Sequence, residues 1–159
     1  MTDTNSSERA TMTETPKAFK HEWRYEPDTG FIYTAINGTM DEADALEFIA
    51  HYDKDIPPGE PCFMIADDRR ATNMTAGARK AFAKLWKPAD VYLAAFGPSF
   101  AYRAVLNLCL KGMPLVMPQF TGIVVADEAA ARAWLHEKKR AHYARKGPQG
   151  KDAPAELSG

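Results

Sequence analysis

Thr75 is the residue whose type and position most invite chemistry. It stands in Met74-Thr75-Ala76-Gly77, just ahead of a segment with helical periodicity. A hydroxyl at a helix start caps free backbone N–H groups. It can also be a phosphoacceptor or touch an anion, because those N–H groups and the helix dipole favour negative charge. A phosphate there would add about two negative charges and rearrange a partner surface. Thr72 and Asn73 compete with Thr75 for the plain capping role. Arg69, Arg70, Arg79 and Lys80 fall around the same helix start. Converging, they would make an anion site or, with Asp68 and Met74, a surface for a protein partner. Apart, they are solvated charges, some paired with Asp67 and Asp68.

Asp67 and Asp68 follow a short apolar strand, at the sheet edge where open α/β folds bind ligands. Adjacent acids can hold a metal or shift each other's pKa. No third acid or histidine lies nearby at metal-ligand spacing, so a charged turn is expected. His21, His51, His136 and His142 show no paired spacing either, and no metal site is expected. Ser99, in Gly97-Pro98-Ser99-Phe100-Ala101, misses the nucleophile elbow because Ala101 replaces its second glycine. Neither a Walker loop nor a dinucleotide fingerprint is present. These gaps point to no catalytic residues, no cofactor and no enzyme activity.

Two further sets have a bland and a sharp meaning. Phe100, Tyr102, Leu106 and Leu110, with the Met113/Met117 loop, either pack on the sheet, line a small apolar-ligand cavity, or form a homodimer seam. Lys138, Lys139, Arg140, His142, Arg145 and Lys146 make a basic helix end that could touch nucleic acid or anionic lipid. Few aromatic residues accompany it, so a solvated helix end is expected and no nucleic-acid partner.

The elements that must position these residues come from a chain with 45% apolar residues, enough for one core. Twenty lysines and arginines against 21 acids leave a net charge of −1, with no global pull toward polyanions. Cys62 and Cys109 both sit in apolar runs, as buried free thiols would in a reducing compartment. The N-terminus carries no apolar signal region, and no stretch reaches the roughly 18–20 apolar residues of a membrane span. A cytoplasmic protein is expected, with one folded domain over 20–143 and loose tails over 1–18 and 147–159.

A hairpin opens the domain, His21–Tyr25 and Phe31–Ile36 around Pro27-Asp28-Thr29-Gly30. Thr39 and Glu42 have capping-box spacing before a helix whose inner face is Ala45, Phe48, Ile49 and Tyr52. Ile56-Pro57-Pro58-Gly59 ends that helix. Cys62–Ala66 is a buried strand, with Asp67-Asp68-Arg69-Arg70 as an exposed loop after it. A second helix spans about Thr75–Trp86, with Ala78, Ala81, Phe82 and Leu85 inward. Val91–Phe96 is a strand. Ser99 caps a third helix, about Phe100–Lys111, ended by Gly112 and Pro114. Its polar stripe is narrow (Arg103, Asn107, Lys111), so it is deeply buried or covers a ligand or partner. Gly122–Ala126 is the last strand, and Asp127 caps a final helix. The order β-β-α-β-α-β-α-β-α implies a mixed, mainly parallel α/β sheet with an antiparallel hairpin edge.

That order resembles the STAS-like fold of anti-sigma-factor antagonists and of STAS/SEC14-like single-domain bacterial proteins. The segments carrying the resemblance are Ala78-Arg79-Lys80-Ala81-Phe82, Ala95-Phe96-Gly97-Pro98-Ser99-Phe100, and Asp127 through Leu135. It covers about residues 20–140. In regulatory STAS proteins a phosphorylatable serine opens the second helix within Asp-Ser-Ser-Gly. Thr75 and Gly77 match that run, while Met74 and Ala76 depart from it. The resemblance implies a non-catalytic regulatory domain that binds a protein partner near the second helix. SEC14-like relatives imply the alternative, a small apolar-ligand or lipid-binding domain.

Overall fold

The structure is a computed structural model and describes residues 19–147. The tail expected over 1–18, and that expected over 147–159 except Gly147, lie outside the described residues. Five strands and four helices follow in the expected order. They are β1 (Glu22–Glu26), β2 (Phe31–Met40), α1 (Glu42–Asp55), β3 (Cys62–Met74), α2 (Ala76–Leu85), β4 (Val91–Phe96), α3 (Phe100–Val116), β5 (Phe120–Val125) and α4 (Glu128–Lys146).

The strands lie side by side in chain order, β1-β2-β3-β4-β5. β1 runs antiparallel to β2, and every later pair is parallel. Each parallel step needs a crossover, and crossovers are right-handed. Because every step moves toward the same edge, α1, α2 and α3 all fall on one face. One core cluster accordingly joins Phe48 and Tyr52 of α1, Phe82 of α2, and Tyr102 and Leu106 of α3 to Ile32, Met64 and Val91 of the sheet. After β5 the chain folds back, and α4 covers the other face. There Ala131 and Leu135 pack on Phe31, Phe63, Ile65, Tyr92 and Phe96. Covered on both faces, β3 begins as the unbroken apolar run Cys62–Ala66.

Several boundaries differ from the expectation. Asp67-Asp68-Arg69-Arg70 is not a loop. β3 continues through it to Met74, because β2 also runs on and pairs with it as far as Met40 and Met74. Two register shifts, at Ala35/Asn37 and Gly38/Thr39, interrupt that extension. Thr39 therefore sits in a strand opposite Asn73 and caps nothing. The capping box of α1 is two residues later, with Asp41 accepting from the Asp44 N–H and Asp44 accepting from the Asp41 N–H. On α2 the inward position goes to Trp86, while Leu85 is left 48% exposed. α3 runs through Gly112 and Pro114 to Val116. Pro114 forgoes only one bond of the last turns, and the Met117 N–H closes the helix on the Met113 carbonyl.

The basic end of α4 is not simply solvated. Lys139 donates to the Thr29 carbonyl, Arg145 donates to the Tyr92 hydroxyl, and His142 is buried against that same hydroxyl. Three of the residues counted as a surface patch thus hold the helix on the sheet and its hairpin turn.

Candidate functional site: an apolar pocket beneath α3

α3 leaves several large apolar side chains in solvent. Of its 17 residues only Tyr102 and Leu106 are fully buried. Phe100, Leu108, Leu115 and Val116 are 94%, 74%, 85% and 64% exposed. Beneath the helix, between it, α2 and the sheet, lies a cavity of about 390 Å³. That size falls in the range of about 300–1,000 Å³ usual for small-molecule sites.

Four sources build its wall, with α1 supplying Phe48. The sheet supplies Ile36, Met64, Ala66, Asp68 and Leu93. Phe82 and Arg79 come from α2, with Trp86 just after it. α3 supplies Tyr102, Leu106, Cys109, Leu110 and Met113. Phe48, Phe82 and Trp86 meet edge-to-face, with ring centroids 5.2–5.9 Å apart, and so make a rigid end wall. The surface is almost wholly apolar, so a few polar groups set its selectivity.

Asp68 is the most unusual of these. It is 2% exposed and accepts no hydrogen bond from any described residue. Burial, and secondly the charge of Asp67, push its carboxyl up to about 7. Tyr102 stands on the same wall, 3% exposed. Its hydroxyl is pushed above the usual range, by burial first and the Asp68 charge second. Both side chains lack a partner among the described residues. Asp67, one residue away, is the opposite case. Strand alternation turns it to the other face, where Tyr33 donates to it at 2.8 Å and Arg69 donates twice, at 2.9 and 2.7 Å. The Arg69 hydrogen bonds hold its carboxyl below the ordinary value against the opposing effect of burial. The two neighbouring acids thus cannot share one metal, and no group of three or more potential ligands occurs among the described residues.

The other predicted residues separate into distinct places. The Thr75 hydroxyl accepts from the Ala78 N–H at 3.1 Å and is the N-cap of α2. Arg79 donates to the Met74 carbonyl at 2.6 Å and edges the apolar pocket, as does Met74. Arg69 and Arg70 line a separate polar groove with Tyr33 and Asp67. Lys80 is exposed on α2. The four cations therefore do not converge on one anion. Of the apolar set, Tyr102, Leu106 and Leu110 line the pocket, while Phe100 points away from it into solvent. Both thiols are free, as expected. Cys62 is fully buried, its thiol pushed up to about 12 by that burial. Cys109 is half-buried on the pocket wall, raised by burial and opposed by Arg79.

The sequence signal for Asp68 was available in principle. Once β3 is extended, the two-residue period sends Asp67 and Asp68 to opposite faces, and one of them must meet the helical layer. In comparison with known proteins, no family model matches the chain, and no curated protein matches it in sequence.

Proposed function

We propose that this chain is a non-catalytic binding domain whose pocket beneath α3 takes a small apolar ligand. The observation that carries it is the 390 Å³ apolar cavity walled by Tyr102, Leu106, Leu110 and the aromatic group on α1 and α2. A packed core leaves few voids larger than a water molecule, so a space of this size lined by Met, Phe and Leu is a recognition feature. α3 is suited to admit a ligand, because only two of its side chains are fully buried. Free thiols at Cys62 and Cys109 support a reducing, cytoplasmic setting. No helix among the described residues is long and apolar enough to cross a membrane.

The test is a fluorescence titration with Nile red, a neutral apolar dye, on the wild type and on Met113→Trp, which fills the pocket. Binding to the wild type and its loss in a folded Met113→Trp protein support the proposal. Equal binding to both, or none to the wild type, sinks it.

A second function, a STAS-like regulatory domain with a protein partner, is favoured by the exposed Phe100, Leu108, Leu115 and Val116 along α3 and by Thr75 at the start of α2. Exposed apolar side chains in a row mark interaction surfaces. A homodimer would use the same helix. Pull-downs with wild type and Thr75→Glu, beside a sedimentation measurement of mass, test it: no partner and a monomer would end this reading.

A further inference from the structure

Unpartnered oxygens on the pocket wall narrow the ligand. Apart from Arg79 at the edge, the residues with polar groups that line the cavity are Asp68, Tyr102, Thr34, Cys109 and Trp86, whose indole N–H is buried and has no partner among the described residues. Thr34 is already satisfied, since its hydroxyl donates to the Ile65 carbonyl at 3.0 Å. Asp68 and Tyr102 are not, and they are 2% and 3% exposed. An ionised carboxylate out of water with no donor is among the most costly arrangements in a protein. What best removes that cost is a cation bearing N–H groups. An alcohol brings a donor but leaves the charge uncompensated. A carboxylate brings a second charge of the same sign.

Resting on the pocket as a ligand site, we infer that the ligand is an apolar amine, its ammonium donating to the Asp68 carboxylate and its hydrocarbon part lying against Phe82, Leu106 and Met113. The Tyr102 hydroxyl, on the same wall, can accept a further ammonium N–H. The charged groups near Asp68 do not replace the ligand. Asp67 is turned to the other face and bound by Arg69 and Tyr33. Arg79 is exposed and spends a donor on the Met74 carbonyl. Its charge sits in solvent, where it is screened, and Asp68 is the group inside.

The test compares three ligands of equal chain length by calorimetry at pH 8: octylamine, octanol and octanoic acid. Above the Asp68 titration the carboxylate is charged, and a primary amine is still protonated. Octylamine is expected to bind the wild type at least about tenfold more tightly than octanol, as a desolvated charge pair allows. Asp68→Asn should abolish that advantage, and a cooperative thermal melt of the ligand-free variant shows that it is folded. Equal affinity of amine and alcohol in the wild type overturns the amine assignment while the pocket stands. So does an advantage that survives Asp68→Asn. Tightest binding by octanoic acid would move recognition to Arg79 and overturn it equally. If none of the three binds, the pocket itself is not a ligand site and both proposals fall.

Discussion

The two faces of the sheet are finished differently. On the α4 face several polar groups find partners, although the buried His142 Nε2 has none among the described residues. Arg132 reaches Glu26 with two hydrogen bonds, Lys139 reaches Thr29, and Tyr92 stands between Arg145 and His142 at 2.9 Å each. The Tyr92 hydroxyl accepts from Arg145 and shares a hydrogen bond with His142 Nδ1. Phe63 and Tyr92 stack beneath them, rings 5.1 Å apart. On the α3 side a cavity remains, and Asp68, Tyr102 and the Trp86 indole N–H have no partner among the described residues. The contrast separates a face built for stability from one that holds space and unspent polarity, which is what a binding site requires.

Substitutions should reproduce that asymmetry. The largest effect is expected at Leu135, fully buried under α4, where Leu135→Ala should cost about 2–5 kcal/mol of unfolding free energy in denaturant titration. Leu106→Ala, on the wall of an existing cavity, removes fewer contacts and should cost less than about 2 kcal/mol. Equal losses would erase the distinction between the faces.

Asp68 comes next, with a change of opposite sign. Its folded-state pKa is raised to about 7, above the unfolded carboxylate value, so the folded protein holds the extra proton between about pH 4 and 7. Stability from this group is therefore present at low pH and lost as pH rises through 7. Asp68→Asn should stabilise the ligand-free protein above pH 7, on the order of 1–3 kcal/mol, and the gain should fade toward pH 5. His142 responds the other way. Burial lowers its pKa, so the unfolded chain takes up the proton first, and stability falls as pH drops through the ordinary histidine range. Thermal melts of wild type and the two variants Asp68→Asn and His142→Phe across pH 5–8 check both signs.

Tyr92→Phe should cost about 1–2 kcal/mol by leaving Arg145 and buried His142 without their shared hydroxyl. The smallest effect belongs to Phe100→Ser. With its ring 94% exposed, stability should stay within about 0.5 kcal/mol, while any self-association through α3 would weaken.

Much of this organisation was legible in the residues. Apolar periodicity located every strand and helix, and capping chemistry placed Thr75, Ser99 and Asp127 correctly. What escaped was long-range. Nothing local tells that β2 and β3 extend together, because the charged residues Asp67–Arg70 read as a loop until their strand partner is known. The apolar stripe of α3 was visible, and so was its choice between ligand, partner and sheet. How far the helix stands off the sheet depends on the side chains of three other elements, Phe82, Met64 and Leu93 among them, which no window of sequence brings together.

The most direct measurement uses Cys109, since Cys62 is fully buried and no other cysteine exists in the chain. The rate of Cys109 alkylation by a maleimide would be followed by mass spectrometry, with and without saturating Nile red. A ligand seated beneath α3 covers the wall that carries Cys109, so alkylation should slow severalfold. An unchanged rate while the dye is demonstrably bound would place the dye elsewhere and contradict the pocket as the site of function.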